Sequence, residues 1–135
     1  MCELLKNPLS YILLVNIFTL IWAVRSWKKN IREKWMNNLR DAGADLIGAA
    51  ELVYAEAASK GINLPPQTMS DFIAKEQKLL LLFAHDESER KAFESKSEKL
   101  RTAAESTNTN QYRDELKQFS QSINERVLKE WQAIK

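Results

Sequence analysis

The sequence is poor in the residues that build turns, bind metals or form disulfides. Of its 135 residues, three are glycine, three proline, one histidine and one cysteine. So few glycines and prolines favour long helices over a turn-rich β fold. The lone cysteine, Cys2, excludes an intrachain disulfide and a zinc site built on cysteines.

The residue patterns of common enzymes are also missing. The glycines are isolated, so the sequence contains no phosphate-cradling glycine loop. The one histidine, His85, falls between two predicted helices, and no Glu-x-x-His motif of a carboxylate metal site occurs. We therefore predict a protein that is not an enzyme, with no catalytic residues, no metal site and no cofactor.

One long apolar run lies near the N-terminus. Residues 9–24 contain no Asp, Glu, Lys or Arg. Asn7 and Pro8 suit the N-cap and the first position of a helix. With its flanks, the run approaches about 20 residues, near the lower limit for crossing a ~30 Å hydrocarbon core. We predict a membrane-spanning helix over residues 8–27.

Aromatic and basic residues border this run as they border a membrane anchor. The predicted interfacial anchors are Tyr11, Trp22, Trp27 and Trp35. A basic collar follows the run and consists of Arg25, Lys28, Lys29, Arg32 and Lys34. The positive-inside rule keeps this collar in the cytoplasm and places residues 1–7 outside the bacterial inner membrane. A cleaved signal peptide, the competing interpretation, would carry its positive charge before the apolar run.

The formal net charge of +2 is concentrated at this edge. Residues 35–135 hold fourteen of the 20 Lys and Arg against sixteen of the 18 Asp and Glu. Such a balance argues against nucleic-acid binding as the main task. The collar has two interpretations: it attracts anionic lipid headgroups, or it forms a ring of positive charge that takes an anionic ligand in an oligomer.

Asn16 lies in the middle of the apolar run. An amide in hydrocarbon needs a hydrogen-bonding partner, which another helix can supply. One interpretation is therefore a contact between protomers that also lines a pore. The other is an Asn that bonds its own backbone or a water molecule.

After the collar, residues 28–34, no residue breaks the helical pattern before Gly61, so the first helix is expected to extend to about Lys60. Its course through the collar has two interpretations, a continuous rod or a helix kinked near Asn30 or Gly43. Apolar residues recur in its second half at spacings of three and four, and many of them are small. A stripe of this kind suits either tight packing within the chain or self-association. The candidate self-association face comprises Leu39, Ala42, Gly43, Leu46, Ala49 and Ala50.

Three further helices are predicted after a break from Gly61 to Pro66. The second helix runs to about Ala84, with a capping arrangement of Thr68 and Asp71 at its start. The third, about 87–105, is capped by Asp86, and the fourth begins near residue 111 after a polar loop. Short connections favour antiparallel neighbours, so residues 35–135 are expected to form a cytoplasmic antiparallel four-helix bundle.

The segment Arg32-Glu33-Lys34-Trp35-Met36-Asn37-Asn38-Leu39-Arg40-Asp41 directly follows the predicted anchor. In this position it resembles a recurrent pattern in small single-pass bacterial membrane proteins with a cytoplasmic helical domain. The whole layout is similar to that of CRISPR-associated and other antiphage membrane accessory proteins, some of which assemble into ring-shaped pores. The Arg and His signature of the nucleases among them is absent.

The resemblance implies a membrane-anchored helical protein that self-associates as a pore-forming or membrane-perturbing antiphage effector. Its expected partners are the lipid bilayer and further copies of the chain. The alternative is a non-enzymatic scaffold or adaptor that holds a cytoplasmic protein partner at the membrane.

Overall fold

The computed structural model describes residues 8–60 and 64–134. These residues form four helices: α1 Pro8–Lys60, α2 Pro66–Leu81, α3 Glu87–Ser106 and α4 Thr109–Ile134. No strand occurs within the described ranges, so the predicted all-α class is confirmed. The predictions for Cys2, for Asn7, for the extracytoplasmic residues 1–7 and for Gly61 lie outside those ranges.

The first helix has the predicted bounds and is continuous through the basic collar. Its 53 residues correspond to a rod of about 80 Å at ~1.5 Å per residue. No proline interrupts this length after Pro8, so each turn can complete its backbone hydrogen bonds.

The predicted cap of α3 is confirmed, and one residue of the polar loop caps α4. The Asp86 carboxylate accepts a hydrogen bond from the Glu89 backbone N–H at 3.1 Å. The Asn108 side chain accepts one from the Gln111 N–H at 3.2 Å, at the start of α4. Both caps satisfy backbone donors that a helix N-terminus leaves free.

The predicted cap of α2 is wrong. Pro65 precedes the helix without a side-chain capping bond, and Pro66 occupies the first turn. Thr68 is buried and donates its hydroxyl hydrogen bond to the Glu56 carboxylate of α1. A tertiary contact has therefore taken the hydroxyl that the capping pattern assigned to the helix backbone.

The four helices share one core, to which α1 contributes buried side chains from Met36 to Ala57. Its largest fully buried apolar side chains are Leu39, Leu46, Val53, Phe72, Leu79, Phe83, Leu100 and Phe119. One buried polar pair joins α2 to α3, where the Ser97 hydroxyl donates to Glu76 Oε2 at 2.7 Å. We call residues 35–60 and 64–134 the helical domain.

Candidate membrane span and its junction with the helical domain

The N-terminal part of α1 lies outside the core. We call residues 8–31 the exposed segment, because all of them are exposed except the half-buried Ser10 and Ser26. It displays fourteen large apolar or aromatic side chains. By length and composition α1 is sufficient to cross a membrane, and no residue of its apolar window is buried.

Three of the predicted interfacial aromatics lie on this segment. Tyr11 is 60% exposed, Trp22 71% and Trp27 63%. Tyr11 and Trp27 are separated by about 24 Å along the helix axis at ~1.5 Å per residue. This separation matches two aromatic belts on either side of a slightly thinned hydrocarbon layer.

Asn16 is exposed in the middle of the same segment. The nearby Thr19 hydroxyl donates to the Val15 carbonyl at 2.8 Å, as a hydroxyl within a helix commonly does. Thr19 therefore satisfies its own donor within the helix. The Asn16 amide presents two donors and an acceptor to whatever surrounds the segment.

Trp35 has a different position from the other predicted anchors. It is half-buried in the helical domain, and its indole Nε1–H donates to the Leu82 carbonyl at 2.9 Å. Its ring packs edge-on against Phe83, with centroids 5.6 Å apart. Because Leu82 follows the last turn of α2, this bond fixes the end of α2 against α1.

An ion-pair network surrounds Trp35 and ties α4 to both neighbours. The Arg126 guanidinium lies 4.7 Å above the Trp35 ring. Its Nε is 2.8 Å from Glu89 Oε1, a close ion pair without straight hydrogen-bond geometry, and its Nη1 donates to Glu130 Oε2 at 3.1 Å. The Arg126 side chain is only 13% exposed, so solvent screens these contacts less than it screens surface pairs.

Arg32 connects this network to the collar. Its Nε lies 3.6 Å from Glu130 Oε1, and its Nη1 donates to the Ala133 carbonyl at 3.2 Å. Arg32, a residue of the predicted collar, thus holds the C-terminal end of α4 beside the exposed segment, while its side chain remains 48% exposed. Among the other collar residues, Lys29 pairs with Glu33 at 4.0 Å, while Arg25, Lys28 and Lys34 are exposed.

We call this contact region the junction. It consists of Arg32, Trp35, Leu82, Glu89, Arg126 and Glu130. The structure thus brings one predicted anchor and one predicted collar residue together with four residues that the sequence did not single out. The Arg126–Glu130 spacing of four was visible in the sequence, but their long-range partners were not.

The candidate self-association face is occupied by the chain itself. Leu39, Leu46 and Ala50 have no exposed surface, and Ala42 is 2% exposed. A Cβ added at Gly43 would meet Ile123 Cγ1 at 3.3 Å, which shows how closely α1 approaches α4 there. Ala49 is half-buried. Of the two interpretations of this stripe, intrachain packing is therefore the one that the structure favours.

His85 lies in the exposed turn between α2 and α3, with its ring 6.2 Å from the Trp35 ring. Among the described residues, no group of three or more His, Cys, Asp and Glu side chains is placed to hold a metal ion.

A groove of about 660 Å³ runs between α1 and α4 beside the junction. Its lining includes buried Met36 and Val127, and exposed Leu128 and Trp131. Trp131 lies one helical turn after buried Val127, but α1 leaves the Trp131 side chain 41% exposed. The groove could not be predicted from one helix, because it depends on the angle between two.

Comparison of the chain with protein-family models, with curated proteins and with solved structures gave no match.

Proposed function

We propose that the protein is a single-pass protein of the bacterial inner membrane, with residues 8–27 in the bilayer and its C-terminal domain in the cytoplasm. In this proposal that domain is an antiparallel four-helix bundle. Copies of the chain associate and act on the bilayer as pore-forming or membrane-perturbing effectors of antiphage defence. The observation that carries the proposal is the exposed segment, which continues the same helix that enters the core.

Water is a poor solvent for this segment. Burying one large apolar side chain contributes about 1.5–3 kcal/mol, and soluble monomers rarely display contiguous apolar patches above a few hundred Å². A bilayer removes the cost, since a helix satisfies its own backbone hydrogen bonds and presents only side chains to lipid. Exposed Arg25, Lys28 and Lys34 then lie where anionic headgroups attract them.

The continuity of α1 also supports a retained anchor over a removed signal peptide. Cleavage directly after the apolar run would cut an unbroken helix a few residues before Arg32 and Trp35. Those two side chains bond α4 and the end of α2. A retained α1 joins the bilayer directly to the junction, so movement of either is transmitted to the other.

The proposal is tested by the mass of the full-length chain in a mild detergent and by leakage from vesicles. We expect a mass several times 15.6 kDa after subtraction of detergent. We also expect release of a small dye from vesicles that carry the protein, and none from vesicles with a chain lacking residues 8–31. A monomer that releases no dye would contradict self-association and the effector role together.

The groove favours a second candidate function, a membrane-tethered adaptor for a cytoplasmic protein. Exposed Leu128 and Trp131 at its edge give a partner an apolar contact about one helical turn wide. Leu128→Asp should then abolish partner capture, whereas Leu81→Asp, at a still more exposed site on α2, should not. Equal capture by both variants would contradict an adaptor role of the groove.

A further inference from the structure

The structure rules out the core-facing side of α1 for self-association and leaves the opposite side of its exposed segment. Leu39, Leu46 and Val53 mark the core-facing side, and all three are completely buried. Successive residues of an α-helix are rotated by ~100° about its axis. On the side that lies about 160° around the axis from these three leucine and valine residues, the helix carries a different stripe. It consists of Asn16, Thr19, Ala23, Ser26 and Asn30.

These five residues, which we call the polar stripe, repeat at spacings of three, four, three and four. They fall within an arc of about 80° on an ideal helix. Ser26 is half-buried and the other four are exposed, so α2, α3 and α4 do not cover this side. Most other positions from Leu9 to Val24 carry large apolar side chains that suit lipid.

We propose that the polar stripe is the surface on which a second copy of the chain docks, parallel and side by side in the bilayer. This inference rests on the proposed function, because it requires residues 8–27 to be in the membrane. The three–four spacing is that of a left-handed helix pair crossing at about 20°. Small Ala23 and Ser26 let two such helices approach closely.

The depth of Asn16 identifies the occupant as another copy. All copies insert in the same direction, so the Asn16 side chains of two symmetric neighbours lie at the same level of the hydrocarbon core. An amide both donates and accepts, and two amides can therefore satisfy each other. Lipid tails offer no partner, and a buried Asn in a helix pair fixes the register of that pair.

Cysteine cross-linking of the full-length chain tests this surface. In a Cys2→Ser background, Ala23→Cys places a thiol on the stripe, and Ile21→Cys places one on the opposite side at nearly the same depth. After mild oxidation in native membranes, we expect a disulfide-linked dimer from Ala23→Cys and at least tenfold less from Ile21→Cys. Equal cross-linking of the two variants, or a product with a host protein instead of a second copy, would overturn the proposal.

Substitution of Asn16 gives a second, independent measurement. Asn16→Leu should weaken association in detergent about three- to thirtyfold, the range expected for one interhelical hydrogen bond. Leu14→Ala, on the opposite side, should leave it unchanged. Carbonate extraction of the same membranes tests the membrane span separately from the docking surface. A chain that carbonate extracts would contradict the membrane span of residues 8–27. A retained chain whose association is unaffected by Asn16→Leu contradicts the docking surface alone.

Discussion

The two halves of α1 contain similar numbers of apolar residues, but one half is exposed and the other packs in the core. The exposed segment displays fourteen large apolar side chains, whereas residues 36–57 bury a narrower stripe in which Ala42, Ala50 and Ala57 take part. The difference lies in pattern. An apolar surface around most of the helix suits a surrounding solvent of lipid, and a stripe at spacings of three and four suits three neighbouring helices.

The junction marks the change from one surrounding to the other. Ile31 is still exposed, while Trp35, one turn later, is hydrogen-bonded to the end of α2. The comparison therefore separates a segment that contributes no side chain to the core of the described residues from a domain that contains that core.

The largest expected effect comes from removing the exposed segment. A chain of residues 32–135 should lose all membrane association and remain a soluble, helical monomer, because its core contains no residue from 8–31. Membrane fractionation, circular dichroism and mass measurement check this result. A truncated chain that aggregates or has lost its helices would show that the segment is part of the folded core.

A matched pair of phenylalanines sharpens the comparison. Phe72 is fully buried and Phe18 is 70% exposed. Phe72→Ala should lower the free energy of unfolding of the helical domain by about 3–5 kcal/mol, because it leaves a cavity in the core. Phe18→Ala should change it by less than about 0.5 kcal/mol. Denaturant unfolding in the same detergent measures both changes. Similar losses of unfolding free energy in the two variants would contradict the division of the chain into an exposed segment and a buried core.

The junction should show a smaller effect. Trp35→Phe keeps an aromatic ring but removes the donor to the Leu82 carbonyl. We expect a loss of about 0.5–1.5 kcal/mol, the net contribution of one hydrogen bond, with Trp27→Phe as the control on the exposed segment. Thermal unfolding followed by tyrosine and far-ultraviolet signals measures both variants. An unchanged unfolding midpoint for Trp35→Phe would contradict a stabilising role of the junction.

The smallest effect is expected at the far end of the domain, where Tyr112 stacks on Tyr54 with ring centroids 4.5 Å apart. Burial raises the pKa of Tyr112 above its usual 10.0, and the nearby Glu51 carboxylate raises it further. Among the described residues, its buried hydroxyl has no hydrogen bond of normal geometry. Tyr112→Phe should therefore change stability at neutral pH by less than about 1 kcal/mol.

The same group predicts a pH dependence. The unfolded chain ionises Tyr112 above pH 10.0 while the folded chain keeps it neutral, so this residue lowers stability as pH rises through that value. Unfolding of the wild type and Tyr112→Phe at pH 8 and pH 11 measures the difference. The wild type should lose more stability over this interval, and equal losses would contradict the raised pKa.

Local signals explain which parts of the fold the sequence predicted. The cap at Asp86 depends on a residue three positions away and was predicted correctly. The loop before α4 contains several polar residues, and the structure identifies Asn108 as the one that caps the helix. The Thr68 cap failed because Glu56 of another helix accepts its hydroxyl hydrogen bond. The role of Trp35 was missed for the same reason, since its partner Leu82 is 47 residues away.

Burial on single helices was the least predictable feature. Residues 79–84 are all apolar, and Leu79 and Phe83 are fully buried, yet Leu81 is 72% exposed. Trp131 continues the stripe of α4 but extends past the part that α1 covers. The self-association face had two interpretations on sequence alone, because a small-residue stripe suits a neighbour from the same chain as well as one from another.

The most direct test of the central claim is the sidedness of the two ends of the exposed segment. Cys2, the only cysteine, reports on the N-terminus, and a Cys2→Ser/Gln121→Cys variant places a reporter thiol at an exposed position of the helical domain. When bacterial spheroplasts are treated with a membrane-impermeant maleimide, we predict that the wild type is labelled at Cys2. The double variant should react only after the cells are lysed. Equal labelling of both before lysis, or protection of both, would contradict a helix that crosses the membrane once with its N-terminus outside.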